Sequence, residues 1–444
     1  ISHMLRETAQ EVVAVLENAG HRALFAGGCV RDHLLGREPT DYDIATSATP
    51  DEVERLFSRT IGVGRAFGVM IVPKDGQNLQ VATFRRDGGY DDGRHPREVV
   101  FTDEVEDARR RDFTINAMFE EATSGQLIDH VGGRQDLADG IVRTVGDPDD
   151  RLAEDRLRML RAVRFAARFG FSIAPDTMAA VKRHAAGITD VSAERIGDEI
   201  TRMLTEGRAR RAFELLDESG LLDIIIPQMS AMKGCAQPPE HHPEGDVFEH
   251  TLRAIDQLTA AHSPALAFGV LLHDIAKPAC RMTKEDRIVF YGHTKQGAVM
   301  AVELCEQLRL SRRDTERVAF LVDQHLRHCS AADMRPATLK RFLRQDGIGE
   351  LLELTRIDAM AANGDLAHYD FCMSALGTIG EEEMRPRPLI TGHDLIEMGL
   401  EPGPLFKEIL GAVEDAQLEG TISSRDDALG LARARLKRGD IVDQ

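Results

Sequence analysis

The chain has 444 residues, too many for one ordinary hydrophobic core, so we expect two to four domains. Its composition, 42% hydrophobic and 29% charged, is typical of a globular protein in water, and no apolar run predicts a membrane span. The formal net charge of −19 excludes a generally basic nucleic-acid surface, because affinity for phosphate backbones comes mainly from Lys and Arg. Any such surface is therefore expected to be local.

The cysteines of the chain favour the cytoplasm, and its first residues need separate treatment. Six cysteines occur without a CxxC pair, which argues against a zinc ribbon or a disulfide framework and favours the reducing cytoplasm. No segment resembles a signal peptide. The three residues before Met4 resemble a remnant of cloning, so we expect the natural chain to begin at Met4.

The first 145 residues predict a mixed α/β unit. Helical spacing covers residues 4–20, and residues 21–26 then predict a short buried strand that ends in the turn Gly27-Gly28. The helices and strands expected beyond this turn are helices over 29–35 and 50–57 and strands over 41–45, 61–72 and 79–84.

From residue 149 onward the pattern is almost entirely helical. The periodic segments are residues 150–169, 194–220, 247–262 and 296–327. Two proline-containing breaks, at 236–244 and 385–388, are candidate domain boundaries.

Two aspartates in the predicted strand 41–45 form a candidate metal site. Alternate positions of a strand face the same side, so Asp41 and Asp43 can bind one ion while Tyr42 faces away. Mg²⁺ prefers oxygen ligands and commonly bridges carboxylates to substrate phosphates. Phosphoryl or nucleotidyl transfer is the chemistry that this pair indicates.

A candidate phosphate site precedes the two aspartates. Gly27 and Gly28 allow phosphate oxygens to approach the backbone, amides at the start of the next helix favour anions, and Arg31 adds a charged fork. The whole run LFAGGCVRDHLLGREPTDYDIATSATPDEV resembles the first motif of the polymerase-β-like nucleotidyltransferases. Within that superfamily it is most similar to the class II tRNA nucleotidyltransferases and the related bacterial poly(A) polymerases. The resemblance implies nucleotidyl transfer, with Mg²⁺ bound by the aspartates.

Two further segments extend the resemblance. RRRDFTINAM at 109–118 resembles the second motif of the family, which implies that Arg111 contacts the nucleotide and that Asp112 senses the ribose hydroxyl. RLAEDRLRMLRAVRFAARFGF at 151–171 resembles the helix that reads the nucleobase, where carboxylate acceptors and guanidinium donors pair with a base edge. Its candidate residues, expected on one face of a single helix, are Asp155, Arg158, Arg161 and Arg164. The alternative is an amphipathic helix with solvated arginines.

Two local features bear on which nucleotides are added. TIGVGRAFGVMIV at 60–72 resembles the glycine-rich strand pair of CCA-type members and lacks the basic pattern of the poly(A) polymerases. Residues 83–113 resemble the full-length flexible loop of the family, which members that add only CC have shortened. The resemblance implies template-independent addition of CCA to the 3′ end of tRNA from CTP and ATP. Addition of the terminal A alone is the alternative, since it requires the same loop and base-reading residues.

The helical part contains a second candidate metal site. Neutral imidazoles and carboxylates are good ligands for divalent transition metals. An ordered His and Asp set here resembles the HD phosphohydrolase superfamily, which implies the primary ligands His250, His273, Asp274 and Asp358. His293 and His325 are candidates for a second metal or a substrate phosphate. A metal-activated water would allow phosphoester hydrolysis, which the sequence leaves open.

These observations predict an α+β architecture. A polymerase-β-like head with a mixed sheet is expected at 4–145, a helical neck with the base-reading helix at 146–235, and an HD-type helical domain at 236–385. Residues 386–444 are expected to form a helical tail that holds the body of tRNA, by resemblance to bacterial tRNA nucleotidyltransferases with HD domains. The oligomeric state is left open.

Two other classes of protein fit this sequence less well. An HD phosphohydrolase whose N-terminal unit only binds nucleotides has no need for both Asp41 and Asp43. A non-catalytic RNA-binding protein is expected to lack these carboxylates and to carry more positive charge. The sequence therefore favours the nucleotidyltransferase.

Overall fold

The structure, a computed structural model, describes residues 2–90, 96–240, 242–285 and 287–439. The chain divides into two compact units. Unit 1 comprises Ile1–Ser230, Leu258–Ala261 and Gln307–Arg309. Unit 2 comprises Ala231–Gln257, His262–Glu306 and Leu310–Gln444.

A seven-stranded mixed sheet lies at the centre of the first part of unit 1. Its order is β3-β4-β5-β2-β1-β8-β9, with β2 and β5 parallel and all other neighbours antiparallel. A separate hairpin consists of β6 and β7. The strands are β1 Ala23–Ala26, β2 Asp43–Thr46, β3 Ile61–Gly64, β4 Val69–Lys74, β5 Gln77–Thr83, β6 Arg85–Tyr90, β7 Pro96–Phe101, β8 Met118–Glu120 and β9 Leu127–Asp129.

Helices and an apolar core support this sheet. The amphipathic first helix buries Leu5, Val12, Val13 and Leu16, as its spacing predicts. A core cluster joins the central strands to the following segments and includes Leu24, Phe84 and Phe119. The helices of this part are α1 Ser2–Asn18, α2 Gly28–Leu34, α3 Pro50–Leu56, α4 Glu104–Arg110 and α5 Gly133–Asp139.

A strand is predicted over 41–45, but the observed strand β2 begins two residues further along the chain, at Asp43. β2 starts at Asp43, whose partner on β1 is Ala26, the last residue of that strand. Gly27 has φ 73° and turns the chain away from the sheet, so residues 41 and 42 have no antiparallel partner on β1. Asp41 therefore lies in the loop just before the strand.

The predicted flexible loop at 83–113 contains regular structure. Its described part forms the β6–β7 hairpin, in which Arg85 pairs with Phe101, and then α4. Asp103 caps α4 by accepting hydrogen bonds from the amides of Val105 and Glu106. The tip of the loop, residues 91–95, lies outside the described residues.

The rest of unit 1 is mainly helical, and the predicted helix 150–169 is interrupted. Asp155 has extended torsions, φ −144° and ψ 104°, and its Oδ1 accepts a hydrogen bond from the Leu157 amide at 3.0 Å. This bond competes with helix continuation, so a new helix begins at Arg158. The elements are β10 Ile141–Val142, α6 Pro148–Glu154, α7 Arg158–Phe169, β11 Ser172–Ile173, α8 Pro175–His184, α9 Ala193–Thr205, α10 Ala209–Glu218, α11 Leu221–Ile225 and α12 Pro227–Ser230.

The described part of unit 2 is helical apart from one hairpin. Its central helix α14 is apolar along its whole length and is buried on all sides. The elements are α13 Val247–Asp256, α14 Pro264–Leu272, α15 Lys277–Cys280, β12 Met282–Lys284, β13 Arg287–Val289, α16 His293–Gln307, α17 Arg312–Gln324, α18 Pro336–Leu343, α19 Ile348–Ala361, α20 Ala367–Thr378, α21 Glu381–Met384, α22 Gly392–Glu397, α23 Pro404–Leu418 and α24 Arg425–Gly439.

The C-terminal helices share a small core of their own. Apolar side chains of α22, α23 and α24 pack together, among them Leu395, Ile409 and Ala428. Within the described ranges, none of the helices combines the length and the apolar character that crossing a membrane requires.

Candidate functional site

The turn after β1 brings backbone and cationic groups close together. Gly27 has φ 73°, and a Cβ built on it would lie 3.0 Å from Nη1 of Arg111. Both the torsion and the close approach therefore favour glycine at this position. α2 begins at the next residue, so its first amides point toward the same space.

Arg31 of α2 is held rigidly beside this turn. Its guanidinium donates to the carboxylate of Asp32 at 2.8 Å and to the side-chain oxygen of Asn116, and it lies 4.6 Å from the centre of the Phe169 ring. Only 5% of Arg31 is exposed, and this burial lowers the pKa of its guanidinium. The arginine is thus preorganised for an anion.

The aspartates face one pocket from the start of β2. Tyr42 between them is buried and packs on Phe25, with ring centroids 4.9 Å apart. Burial raises the pKa of Asp43 to about 6, an effect that the charge of Asp41 increases and that of Arg111 opposes. Two carboxylates that repel each other in a half-buried site form a donor set that fits a divalent cation.

The second motif contributes two arginines that are held by one buried carboxylate. Asp107 on α4 is 1% exposed and binds Arg110 at 2.7 Å and Arg111 at 3.0 Å. Arg111 also contacts the backbone oxygen of Asn116 at 3.3 Å. Sequence reasoning missed Asp107 and Asn116, although Asp107 precedes the arginines by helical spacings of three and four.

The third motif lines the same pocket from α7 and the break before it. Arg158 binds Glu154 at 2.7 Å and the backbone oxygen of Arg151 at 2.8 Å. Arg161 donates to Asp112 and Arg164 donates to the buried Glu199 at 2.6 Å. Most of these cations are therefore already oriented by hydrogen bonds.

All predicted nucleotide and metal residues of unit 1 line a single pocket of about 830 Å³. They are Gly27, Gly28, Arg31, Asp41, Asp43, Arg111, Asp112, Asp155, Arg158, Arg161 and Arg164. The pocket also has lining residues that were not predicted, namely Asp32, Thr40, Gln80, Arg110, Asn116, Phe165, Arg168, Arg202 and Glu206. Asp155 joins the set although it does not share a helix with the arginines.

The predicted HD residues converge in unit 2. His250 Nε2 lies 3.2 Å from His273 Nε2 and 3.0 Å from Asp358 Oδ1. Asp274 is within 3.3 Å of His273. Although burial lowers the pKa of His250, its hydrogen bonds to Asp358 and Glu244 raise that pKa to about 9.

The other two histidines, His293 and His325, lie near Oδ1 of Asp274, whereas His273 is close to Oδ2. His293 Nε2 is 3.5 Å and His325 Nε2 is 3.8 Å from Asp274 Oδ1. Burial lowers the pKa of His325 to about 3, so its ring is neutral. His293 Nε2 is buried without a hydrogen-bond partner among the described residues. A divalent transition metal fits this set of imidazoles and carboxylates.

Glu244, His242 and Lys277 also contact this cluster. The side chain of Glu244 is fully buried and lies 2.7 Å from Nδ1 of His250 and 2.9 Å from Nδ1 of His242. A carboxylate on Nδ1 directs the other ring nitrogen toward a metal. Lys277 binds Asp274 at 2.7 Å. The run HHPEG shortly before His250 was the signal that sequence reasoning missed.

Comparisons with known proteins identify the family. Three family models match: a poly A polymerase head domain at 23–143, a probable RNA and SrmB-binding site of polymerase A at 170–233, and an HD domain at 247–362. The CCA-adding enzyme of Levilactobacillus brevis is 31% identical over 428 residues, which are 95% of this chain and 96% of that relative. The chain belongs to the CCA-adding enzyme family.

Other CCA-adding enzymes align over shorter segments. The chain spans about half the length of several curated relatives: that of Bacillus subtilis is 44% identical over 216 residues, 48% of this chain and 54% of the relative. The structure of the Bacillus stearothermophilus CCA-adding enzyme with CTP has 27% identity and a TM-score of 0.70, with 98% of each chain covered.

The fold extends to more distant CCA-adding enzymes. The Thermotoga maritima enzyme complexed with tRNA has 19% identity and a TM-score of 0.59, with 98% of this chain and 95% of that chain covered. The α+β fold predicted from the sequence is thus confirmed, together with a head domain of the poly A polymerase type and an HD domain. The head of this chain matches the model of poly A polymerases, and the described part of unit 2 contains candidate metal ligands.

Proposed function

We propose that this chain adds C, C and A to the 3′ end of tRNA, using CTP and ATP and no nucleic-acid template. One observation carries the proposal. A single pocket combines a glycine turn that can bind phosphates, a pair of aspartates that can bind a metal, and a carboxylate with arginines that can form hydrogen bonds to a nucleobase. Each of these groups alone is common, but nucleotidyl transfer requires all three together.

The proposed reaction is in-line transfer to the tRNA. The terminal 3′ hydroxyl loses its proton and forms a bond to the α-phosphorus of the nucleotide, while the bond from the α-phosphorus to the bridging oxygen breaks and pyrophosphate leaves. Asp41 and Asp43 would hold the metal, and Mg²⁺ is the ion that two carboxylates and a triphosphate suit. Bound there, Mg²⁺ would neutralise charge on the reacting phosphate.

Arginines and backbone amides would bind the triphosphate. Arg31 and Arg111 flank the Gly27 turn and are fixed by Asp32, Asn116 and Asp107. Donors that are already oriented lose little entropy when the ligand binds. Positioning and charge neutralisation of this kind supply most of the acceleration in phosphoryl transfer.

Asp155 and Arg158 would read the base, and Arg161 and Arg164 would support them. Cytosine and adenine share an exocyclic amino group, whereas uracil and guanine carry an oxygen at the corresponding place. At that place a carboxylate can accept a hydrogen bond only from the amino group of cytosine or adenine, which explains why one protein site can choose C and A. Asp112 would contact the ribose.

The remaining parts of the chain have proposed roles in holding tRNA. We assign a head at 4–145, a neck at 146–235, an HD-type domain at 236–385 and a tail at 386–444 that binds the tRNA body. The six cysteines are all free thiols, which supports a place in the reducing cytoplasm.

The assay for this function uses three tRNA transcripts, ending at the discriminator base, at C and at CC. Each is incubated with CTP or ATP alone, and product length is read on a gel. CCA addition predicts that CTP extends the first by two and the second by one, and that ATP extends only the third. Extension of the third alone would indicate an enzyme restricted to the terminal A. Long adenosine tails would indicate poly(A) synthesis.

The HD cluster supports a second candidate function, metal-dependent hydrolysis of phosphoesters. The observation that favours it is the convergence of six predicted side chains, with His293 Nε2 buried and without a hydrogen-bond partner among the described residues. The four primary ligands would hold a transition metal, which lowers the pKa of a bound water. Metal content measured by mass spectrometry tests the site directly, and a phosphatase assay on model phosphoesters tests its chemistry.

A further inference from the structure

A stripe of alternating charge follows one face of helix α9, and its C-terminal end lines the nucleotide pocket. The stripe consists of Arg195, Glu199 and Arg202 in α9 and Glu206 directly after it, at spacings of four, three and four. Glu199 and Glu206 bind Arg164 at 2.6 and 3.3 Å, and Arg202 lines the pocket. The candidate base-reading residues are thus contacted by charged side chains of this stripe.

The contact of Arg195 differs from the others, because its partner is the carboxylate of the base-reading set. Arg195 Nη2 lies 2.7 Å from Oδ2 of Asp155, and the two side chains are 23% and 19% exposed. The other oxygen, Oδ1, accepts from the Leu157 amide at 3.0 Å. Each oxygen therefore has one fixed donor, and the remaining lone pairs have a defined direction.

The backbone around Asp155 makes this contact important. Asp155 lies between α6 and α7 in an extended conformation, so no helical turn fixes its side chain. A single hydrogen bond from the Leu157 amide leaves the carboxylate free to rotate about its Cβ–Cγ bond. A second donor on Oδ2 prevents that rotation. Arg195 supplies this second donor across 40 positions of sequence.

We infer that Arg195 is a positioning residue for nucleotide selectivity, which acts by orienting the Asp155 carboxylate toward the nucleobase. The inference rests on the proposed function. A rigid acceptor favours the amino group of C and A, and a carboxylate that rotates also tolerates U and G, through a bridging water. Loss of Arg195 therefore relaxes selectivity while the phosphate and metal groups stay in place.

The test compares Arg195→Ala and Arg195→Lys with the parent enzyme on tRNA transcripts ending at the discriminator base and at CC. The measured quantities are kcat/KM ratios for CTP over UTP on the first transcript and for ATP over GTP on the second. Arg195→Ala is expected to lower both ratios about tenfold, with kcat for the correct nucleotide reduced less than about threefold. Arg195→Lys keeps one donor and is expected to restore part of the selectivity.

Two matched variants isolate the contact. Arg156→Ala removes a neighbouring arginine whose partner is Asp190, at 3.1 Å, and is expected to leave both ratios unchanged. Asp155→Ala is expected to relax selectivity by itself. Adding Arg195→Ala to Asp155→Ala should then change the ratios no further, because Arg195 acts only through that carboxylate.

The outcomes separate this inference from the proposed function. If Asp155→Ala leaves selectivity intact, the proposal that Asp155 reads the base is wrong, and the inference about Arg195, which depends on it, is wrong as well. If Asp155→Ala relaxes selectivity but Arg195→Ala does not, only the inference about Arg195 is wrong. An equal loss of rate with all four nucleotides, or a further loss of selectivity in the double variant, would also overturn it. Thermal melting of every variant checks folding, and Arg195→Lys decides the question if Arg195→Ala does not fold.

Discussion

Arg161 binds Asp112 through two nitrogens, Nε at 2.8 Å and Nη2 at 2.7 Å, across 49 positions of sequence. The contact joins the residue proposed to sense the ribose to one proposed to support base reading. Burial raises the pKa of Asp112, but the Arg161 charge and hydrogen bond, with a bond from Asn116, lower it to about 2. The pair therefore stabilises the fold wherever Asp112 is ionised.

Arg161→Ala is expected to destabilise the protein by about 2 kcal/mol at pH 7, because it leaves the largely buried carboxylate of Asp112, 13% exposed, without its closest cation. A depressed folded-state pKa gives stability that is complete above the unfolded pKa and is lost as pH falls through the folded value. The difference between parent and variant should therefore shrink from about pH 4 toward pH 2. Denaturant unfolding at several pH values measures it.

The control for this prediction is an exposed ion pair of similar length. Arg183 binds Asp149 at 2.6 Å, with 56% and 45% of the side chains exposed. Arg183→Ala is expected to cost less than about 0.5 kcal/mol, since water screens such pairs. Equal losses in the two variants would contradict the assigned importance of the Arg161 pair.

Gly133→Ala is expected to destabilise unit 1 and to weaken nucleotide binding. A Cβ at this position would lie 2.2 Å from the backbone oxygen of Thr114 and 2.9 Å from Cγ of Met118. The turn at Thr114–Asn116 would have to shift, and with it the Asn116 contact to Arg31. We expect a loss of at least about 2 kcal/mol in unfolding free energy and a higher KM for CTP and ATP.

Gly349→Ala is the matched control in α19, where a Cβ would meet nothing within 4 Å. Its stability should equal or slightly exceed that of the parent, because Ala favours a helix. A Gly133→Ala variant as stable as this control would show that the segment around Thr114 adapts freely.

Much of the nucleotide pocket could be predicted from the sequence, because each motif is a short run with local chemistry. The Gly27 turn, the alternation around Tyr42 and the arginine spacing of α7 need no distant partner. The break at Asp155 could not be predicted, since the buried residues Leu152, Met159 and Val163 keep helical spacing, seven and four positions, through it. Its cause is partly tertiary, because Asp155 also binds Arg195.

In the HD cluster, too, some residues could be predicted from local sequence and others depend on tertiary contacts. Its six predicted members stand out as histidines and aspartates. The run HHPEG contains Glu244 but does not show that this residue contacts His250, and Lys277 is recognised only because the fold brings it to Asp274. The start of β2 also depended on a neighbour, since the end of β1 determines it. Pairing between strands is decided outside the strand itself.

His273→Ala combined with Asp274→Ala is expected to abolish metal binding and any phosphoesterase activity in unit 2 while nucleotide addition stays within about twofold. The reason is that every residue of the nucleotide pocket belongs to unit 1, whereas the HD ligands belong to unit 2. Bound metal, hydrolysis and nucleotide addition are measured on one preparation, after thermal melting confirms folding. Addition lost as completely as in an Asp41 variant would contradict separate sites.

The central claim is that Asp41 and Asp43 support nucleotide transfer in the pocket of unit 1. Its most direct measurement is single-turnover addition of labelled ATP to tRNA ending in CC by Asp41→Asn with Asp43→Asn, with tRNA affinity measured in parallel. Glu38→Gln, an exposed carboxylate outside the pocket, serves as the control. The account predicts a rate reduced on the order of a thousandfold or more, with tRNA affinity unchanged within about threefold and the control fully active. Substantial addition by the double variant would contradict it.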